Sequence, residues 1–495
     1  MKKTLYYVVL IVAIAGTQAA HSASLTLRSS GAIGDGKTDD RAAIQKALNE
    51  AKGETVDGEG LTYAVHGNIE VTSDVDFRNA TLVQTMEAPS AAKYIPSAHS
   101  GGELTVDPPE GLRATVKGLP LMHAESVGTY KEDPVLSPQD LQSLMPSIAV
   151  RTLTLRGSEE NPVKVRLENI KVDRGRHPSS GGRNDSMGIL IRDAAPVAAT
   201  DVEVTGDGKG VGLSIHDCKN VRLTKINIHD MNWAPYEGDN IFDILTAQDV
   251  RDDFHWNHFP IYEFRDSMKR FVRVRIQEQL VGLWISQSEN VEVLDSTIDR
   301  LQVAIGGDLY PLQTDAMTVN RVKNIVARNS HFSKTWEGID FTGDAGQGFE
   351  WRDCVAEDTL GFSFKVAHPK QNGKMINCRA ERSALGGFTI GAESENIQLI
   401  DCIALETGAG NLWRETDGSP FIEVIGIRVD GQSGLETPKN ILIERCSAIN
   451  KTWAGAMDYG IRNEHLNKDP GHNIKLVDCN AEGAKIENIK GFGED

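Results

Sequence analysis

The sequence predicts an all-β chain wound into a parallel β-helix, because two short motifs recur through its last two thirds at intervals of one coil. The first, here the glycine motif, reads Gly, apolar, any residue, apolar, and its tightest repeats lie 24, 22, 23 and 26 residues apart. Such intervals hold three short strands with turns, but not a strand and a crossover helix. The copies begin at Gly188, Gly212, Gly282, Ala316, Gly338, Gly361, Gly387, Gly426 and Gly460.

The second motif is Asn followed by Val or Ile, and each copy opens an alternating apolar stretch. We therefore expect at least two strands per coil, with a turn residue at a fixed offset. Alternation in the glycine motif points its two apolar residues inward and its middle residue to solvent. A β-sandwich is the alternative, but it predicts turn signals every 8 to 12 residues or so and no long period. The copies begin at Asn220, Asn290, Asn324, Asn396, Asn440 and Asn473.

The cysteines keep the same period. Cys354, Cys378 and Cys402 are each 24 residues apart, and Cys446 and Cys479 follow in similar local sequences. We expect an interior ladder of small apolar side chains. An exported protein can carry disulfides, but a chain of 495 residues buries a large core unaided, so we favour free thiols.

The N-terminus is typical of a signal peptide. Lys2 and Lys3 precede an apolar run from Leu5 to Gly16, which is too short to span a bilayer and is followed by small residues. We expect residues 1–23 to be removed and the protein to be exported, to the periplasm or beyond the cell. A net charge of −18 argues against nucleic acid as a partner, and no segment suggests insertion into a membrane.

Residues 24–495 are predicted to form a single domain with insertions near 86–147 and 229–270. The first insertion is rich in proline and lacks apolar periodicity. The second is aromatic and acidic, and its Trp233 and Tyr236 could stack on pyranose rings as one wall of a sugar-binding cleft. The alternative is a loop that only packs on the flank of the coils.

A capping helix is predicted directly after the signal peptide. The segment that begins at Gly31 reads Gly-Ala-Ile-Gly-Asp-Gly-Lys-Thr-Asp-Asp, and its last three residues can cap a helix. Such a helix would cover the first coil of an open solenoid. The next strands are expected at Thr62 to Val65 and Asp76 to Val83. Helical spacing is shown by Ala43, Ile44, Ala47, Leu48 and Ala51.

This N-terminal segment resembles the entry motif of the pectate-lyase-like superfamily, which includes polygalacturonases, rhamnogalacturonases, epimerase-like lyases and phage tailspikes. The resemblance implies a right-handed parallel β-helix. A second resemblance starts at Gln313, where Gln-Thr-Asp-Ala-Met-Thr-Val-Asn is similar to a polygalacturonase segment and Asp315 falls on the first catalytic Asp of that family. Glu337 falls on the second residue of the family's Asp-Asp pair, whereas Trp336 and Leu360 replace its first Asp and its His.

Physical reasoning selects the same residues. Stacked coils lie about 4.8 Å apart, so Asp315 and Glu337, which precede successive glycine motifs, should approach within one coil, with Asp340 beside them. When carboxylates lie so close, the pKa of at least one of them is raised. That group can stay protonated as the acid of glycoside hydrolysis while a neighbour stays ionised as the base. The alternatives are a Ca²⁺ site or an ordinary polar ladder. We expect no required cofactor, and Ca²⁺ is the ion that these carboxylates would suit.

Aromatic and basic residues flank these carboxylates. Trp284, Lys365, His368 and Arg428 could line a groove for a saccharide chain that carries carboxylates. A lysine or histidine near a uronate could instead abstract its C5 proton, as in a lyase or an epimerase. Basic residues also serve simply to break up exposed sheets.

The sequence thus favours an exported enzyme that hydrolyses an acidic polysaccharide through Asp315, Glu337 and Asp340. The second hypothesis is that the chain is a polysaccharide lyase or C5-epimerase, which would depend on Lys365, His368 or Tyr236. The third is a carbohydrate-binding β-helix protein without catalysis.

Overall fold

The computed structural model describes residues 25–86, 150–175, 187–208, 210–233, 260–265, 270–275, 280–305, 308–310, 314–343, 346–367, 370–409, 423–429, 437–464 and 472–492. These residues form a right-handed parallel β-helix with one α-helix at its start, as the sequence predicts. The predicted signal peptide and nearly all of the first predicted insertion lie outside the described residues. In the described ranges, no helix has the length and apolar character needed to cross a bilayer.

The α-helix Arg41–Ala51 covers the first coil, after a short 3-10 helix at Arg28–Ser30. It buries four of the five predicted positions, and Ala43 remains partly buried. Asp40 stands at the helix start but does not cap the helix with its side chain. Its buried carboxylate instead accepts hydrogen bonds from the backbone N–H groups of Ile33 (2.6 Å) and Gly34 (2.9 Å), which ties the preceding loop to the helix.

One sheet, here the site sheet, stacks one strand from each coil. Its strands are all parallel, and each pairs with the strand of the next coil. It carries the glycine motifs. In order along the sheet, its twelve strands are Ile69–Val71, Arg151–Arg156, Met187–Arg192, Gly210–His216, Leu280–Ser286, Thr314–Asn320, Glu337–Thr342, Phe362–Val366, Gly386–Ile390, Ile425–Val429, Tyr459–Asn463 and Glu487–Lys490.

A 22-stranded second sheet supplies the other sides of the coils. In the early coils, one long strand of this sheet spans two sides of the coil, whereas the later coils use two separate short strands. The change occurs after Lys219–Trp233, which pairs with both short strands of the following coil. The strands are Leu25–Thr26, Asp35–Asp39, Thr55–Val65, Val75–Gln84, Val163–Asp173, Ala194–Thr205, Lys219–Trp233, Glu289–Leu294, Thr297–Ile305, Asp308–Tyr310, Lys323–Arg328, His331–Ser333, Gly346–Arg352, Val355–Glu357, Lys370–Ile376, Arg379–Glu381, Glu395–Ile400, Ile403–Leu405, Lys439–Glu444, Ser447–Ile449, Ile474–Val477 and Asn480–Glu482.

The asparagine motif marks a turn in each coil, as predicted. All six of its asparagines have a positive φ between 47° and 58°, a conformation that asparagine tolerates better than most residues. Their side chains also form a ladder, since the Asn324 amide donates to the Asn290 side-chain oxygen at 3.1 Å, and Asn290 donates to Asn220 at 3.3 Å. The ladder fixes the stacking of one coil on the next.

The interior is apolar and continuous along the coils. The rings of Phe364 and Phe388 stack with centroids 5.0 Å apart, and Trp351 packs against Phe364. The cysteines are free thiols, as expected, and five of the six are buried while Cys479 is partly buried. Cys354 and Cys378 donate weakly to backbone carbonyls of the preceding coil.

The register corrects one glycine motif. Ile339 pairs with Phe364 and Asp340 with Lys365, so Ser363 and not Gly361 stands opposite Gly338. The assignment of the motif at Gly361 is therefore wrong by two residues, because the turn before this strand differs in length from its neighbours. Lys365 consequently occupies the middle position of the motif in this coil.

The prediction that the middle residues face solvent is also wrong for much of the sheet. Leu190, Ser214, Thr318 and Asp340 point away from the core, yet each is 6% exposed or less. The outer face of the site sheet is therefore largely enclosed rather than open, which matters because candidate site residues lie on it.

Gly338 is required by a close approach of two coils. A Cβ added there would lie 2.4 Å from the backbone oxygen of Ser363 and 2.8 Å from the Ala356 Cβ. We expect Gly338→Ala to lower the free energy of unfolding by about 1–3 kcal/mol, because the backbone must shift. Thr342→Ala, a half-buried change on the same strand, should cost about 0.5 kcal/mol or less. Denaturant unfolding measures both, and equal losses would contradict this account.

The second predicted insertion begins later than expected. Residues 229–233 continue the strand Lys219–Trp233, where Met231 pairs with Leu301, so they belong to the coil. Further on, Pro260–Arg265 and Arg270–Arg275 form an antiparallel hairpin. The residues between Trp233 and this hairpin lie outside the described residues.

Candidate active site

One outward position runs down the whole site sheet. This central column is the middle position of the glycine motif, and parallel register places its members directly above one another. It joins four of the predicted site residues, Trp284, Asp340, Lys365 and Arg428, in one line. From the first coil to the last, the column reads Glu70, Thr154, Leu190, Ser214, Trp284, Thr318, Asp340, Lys365, Thr389, Arg428, Arg462 and Lys490.

The three predicted carboxylates meet beside this column. Asp315 pairs with Glu337 on the adjacent strand, and Asp340 lies three residues further along the strand of Glu337. One oxygen of each residue lies within 4.8 Å of the others. All three residues are 2–3% exposed. We call Asp315, Glu337 and Asp340 the carboxylate cluster; its assembly follows from a one-coil repeat of acidic residues on neighbouring strands.

Lys365 reaches the carboxylate cluster from the next coil. Its ammonium lies 2.9 and 3.1 Å from the two oxygens of Glu337 and 3.6 Å from Asp340 Oδ1. The side chain is 27% exposed, so one side of the ion pair is near the surface. The sequence predicted that Lys365 binds substrate, whereas in the structure it forms an ion pair with Glu337.

The oxygens of the cluster differ in their hydrogen bonds. Asp315 Oδ2 accepts a hydrogen bond of 3.0 Å from the Thr318 hydroxyl, which fixes that carboxylate. Asp340 Oδ1 is buried and has no hydrogen-bond partner among the described residues. The Thr389 hydroxyl, one coil below Lys365, is likewise buried without such a partner. Buried polar atoms are normally paired, so these two lack a hydrogen bond that such groups usually make, although the Lys365 ammonium approaches Asp340 Oδ1 at 3.6 Å.

Burial controls the charges of the site. It raises the pKa of Glu337 well above the ordinary value; the Lys365 ammonium opposes this shift, and the charges of Asp340 and Asp315 add to it. Burial alone would lower the pKa of Lys365, but the carboxylates of Asp340 and Glu337 outweigh it and raise that pKa. Glu337 therefore holds a proton more readily than an ordinary glutamate, and Lys365 remains an ammonium.

A calcium ion is compatible with the oxygens of the cluster but would compete with Lys365 for them. Three carboxylates suit a hard cation, and their oxygens are close enough to share one. The Lys365 ammonium, however, already contacts both oxygens of Glu337 and approaches Asp340. The lysine supplies the positive charge that an ion would otherwise bring.

An apolar patch borders the cluster on the N-terminal side. Met187, Leu190, Val211 and Val281 pack together on the outer face of the site sheet, and Trp284 packs against them. The four aliphatic residues are 6% exposed or less, so only the partly exposed Trp284 could cover the face of a sugar ring. Among these residues the sequence singled out only Trp284; the others alternate like core residues, and only the register shows that they point outward.

Of the remaining predicted residues, only Arg428 has a described side chain, and it does not join the cluster. Arg428 lies three strands beyond Asp340 in the central column and forms an ion pair of 2.9 Å with Glu464. The backbone of Trp233 ends a strand of the second sheet, and its side chain is outside the described residues. Tyr236 and His368 also lie outside the described residues.

Comparison with known proteins gives one short family match and several distant structural matches. The family model of the N-terminal extension of bacteriophage endosialidase matches residues 32–85. No curated protein matches the chain. Similar solved structures include the A-module of an Azotobacter vinelandii mannuronan C-5 epimerase, with 12% identity over 95% of this chain and 98% of that one and a TM-score of 0.37.

Two further similar structures are named as a tailspike protein and as a surface adhesin. The Dettilon tailspike protein is 11% identical over 94% of this chain and 68% of its own, with a TM-score of 0.42. The surface adhesin PfbA of Streptococcus pneumoniae is 10% identical over 94% of this chain and 93% of its own, with a TM-score of 0.30. At these identities the likeness concerns the fold alone.

Proposed function

We propose that the chain is a polysaccharide-active enzyme that hydrolyses glycosidic bonds of an acidic polysaccharide at the carboxylate cluster. One observation carries the proposal: Glu337, whose pKa is raised by burial, lies beside Asp340, whose buried Oδ1 has no hydrogen-bond partner among the described residues. Glycoside hydrolysis needs such a pair, with one carboxyl group protonated and the other ionised.

The residues divide the reaction between them. Glu337 donates its proton to the glycosidic oxygen as the bond from that oxygen to the anomeric carbon breaks. Asp340 attacks the anomeric carbon directly, because the cluster oxygens lie within 4.8 Å and leave little room for a water between the two carboxyl groups. A water molecule, deprotonated by Glu337, then hydrolyses the glycosyl ester on Asp340. Lys365 stabilises the carboxylate that Glu337 becomes, since its ammonium lies 2.9 Å away.

Lys365 is poorly suited to the elimination and epimerisation reactions. Both begin with removal of the C5 proton of a uronate by a base. The raised pKa of Lys365 keeps it protonated near neutral pH, so it cannot accept that proton. A lyase or an epimerase would therefore use another base, for example His368 or Tyr236, which lie outside the described residues.

We also propose that the protein acts outside the cytoplasm. The support is the basic, apolar and small-residue pattern of residues 1–23, which is typical of a secretory signal. Polysaccharides of cell surfaces and surroundings are the substrates available to an exported enzyme of this type.

Product analysis tests the function. The purified chain is incubated with acidic and neutral polysaccharides, with and without chelator, and both reducing ends and ultraviolet absorbance are measured. We expect reducing ends without absorbance from an acidic polymer, no effect of chelator, and no product from Asp340→Asn. Absorbance from an unsaturated product, or full activity of Asp340→Asn, would overturn the hydrolase proposal; absence of any product would favour a binding protein.

A further inference from the structure

A second pocket lies at the N-terminal end of the site sheet. It has a volume of about 230 Å³ and is lined by the first three strands of that sheet, mainly through Asn68, Arg151, Thr154, Arg156 and Arg192. Thr154 and its neighbour Leu190 belong to the central column, so the pocket opens on the same outer face as the carboxylate cluster. None of these residues takes part in the proposed chemistry.

The pocket is basic. Three of its lining residues are arginines, and the one acidic lining residue, Glu70, forms an ion pair with Arg156. Arg192 lies 3.4 Å from Asp193 and 3.5 Å from Asp217, which leaves its guanidinium without a close bidentate partner among those contacts. The lining itself holds three arginines and one carboxylate, and Asp193 and Asp217 beside Arg192 offset part of that charge. Arg151 forms no ion pair with a carboxylate among the described residues.

Arg151 gives an independent sign of a missing ligand. Its Nε atom is buried and has no hydrogen-bond partner among the described residues. A buried guanidinium donor without an acceptor is costly, and an oxyanion placed in the pocket would satisfy it. Guanidinium groups bind carboxylates and sulfates through two parallel hydrogen bonds.

The basic residues continue toward the carboxylate cluster. Arg156 pairs with Arg192, and Arg192 pairs with His216, on three successive strands of the site sheet. The guanidinium groups of Arg156 and Arg192, on strands about 4.8 Å apart, repel one another, and Glu70, Asp193 and Asp217 offset that repulsion only in part. Repeated anionic groups along one extended chain would match this spacing.

We infer that this pocket is a subsite for an anionic saccharide, with its arginines binding the carboxylate or sulfate group of one sugar unit. The choice of a saccharide rests on the proposed function. Thr154 is five strands from Asp340 in the central column, a distance of about 24 Å at about 4.8 Å per coil. Trp284, which is partly exposed, lies between them and can cover a ring face, so the saccharide chain would run along the helix axis.

Binding measurements in a variant that cannot turn over substrate test the inference. In the full chain carrying Glu337→Gln, calorimetry measures the affinity for oligouronates, sulfated oligosaccharides, carboxyl-reduced oligosaccharides and inorganic sulfate. We expect the anionic oligosaccharides to bind in a salt-dependent way, and the combined change Arg151→Gln and Arg192→Gln to weaken binding at least about tenfold. Arg166→Gln, an exposed arginine of the second sheet paired with Glu168, is the control and should leave affinity unchanged.

Each other outcome overturns the subsite. Equal binding of neutral and anionic oligosaccharides would show that the anionic group is not recognised. Normal binding by the arginine variant would show that the saccharide does not bind in this pocket. Binding of inorganic sulfate alone would show an anion site that does not serve a saccharide, and no binding at all would also refute it. Because binding is measured without turnover, these results are separate from the failure of the hydrolase proposal, which product analysis reports.

Discussion

Replacing Glu337 with Gln is expected to lower kcat at least about 100-fold on the polysaccharide that the chain cleaves, because positioned general acids contribute about 100- to 10,000-fold. The amide keeps the size of the side chain and can still accept a hydrogen bond from Lys365, but it has no proton to donate to the leaving oxygen. Reducing-end kinetics measure the loss. Glu292→Gln, an exposed residue paired with Arg222, should leave kcat unchanged.

The pH profile gives a second test of the same residue. Since burial raises the pKa of Glu337 above that of the unfolded chain, and only the protonated form donates, kcat/KM should fall as the pH rises through the raised pKa. The folded chain also binds this proton more tightly than the unfolded chain. The free energy of unfolding should therefore decrease as the pH rises above the unfolded value of about 4.3, and Glu337→Gln should remove that decrease.

Two results would contradict this role for Glu337. One is an alkaline fall in kcat/KM that persists, with the same midpoint, in the residual activity of Glu337→Gln. The other is a variant that retains most of its kcat. Circular dichroism of the variant separates either result from a loss of folding.

Replacing Lys365 with Met is expected to produce the largest loss of stability at neutral pH. The change removes the ammonium from Glu337 and Asp340 and leaves both carboxylates buried without that partner. Breaking a buried ion pair costs about 3–5 kcal/mol, and the 27% exposure of Lys365 favours the lower end, about 3 kcal/mol. Denaturant unfolding measures this loss.

The loss should depend on pH in a defined direction. As the pH falls, Glu337, whose pKa is raised by burial, becomes protonated and no longer needs the ammonium, so the difference in unfolding free energy between Lys365→Met and wild type should shrink toward acid pH. Lys171→Met removes an exposed partner of Glu203 and should cost less than about 1 kcal/mol at any of these pH values. A loss for Lys365→Met that stays constant with pH would indicate lost packing rather than lost charge.

The architecture was predictable because it repeats. Three local patterns can be seen in the sequence without knowledge of tertiary contacts. They are a repeat of 22 to 26 residues, apolar residues at every second position of a strand, and a turn asparagine at the recurring asparagine motif. The approach of Asp315 and Glu337 followed from the same repeat, since both precede a glycine motif. Asp340 followed from alternation along one strand.

Register was not predictable in every coil. The turn before Phe362–Val366 differs in length from its neighbours, so the motif at Gly361 was placed two residues early and Lys365 was not recognised as the partner of Glu337. The basic pocket was missed for a related reason: Asn68, Arg151 and Arg192 are far apart in sequence, and no periodic signal connects the first three strands of the site sheet.

By itself the sequence determined the coiled fold, the capping helix, the turn asparagines and the three carboxylates, because each depends on spacing within one coil or between adjacent coils. Only the tertiary structure decided which residues on the outer face are enclosed, which cation meets Glu337 and where the arginines gather. The physical reason is that strand register depends on turn length, and burial depends on the neighbouring coils. A change in either alters which charged side chains meet and how exposed they are, while the sequence motifs still recur at the same spacing.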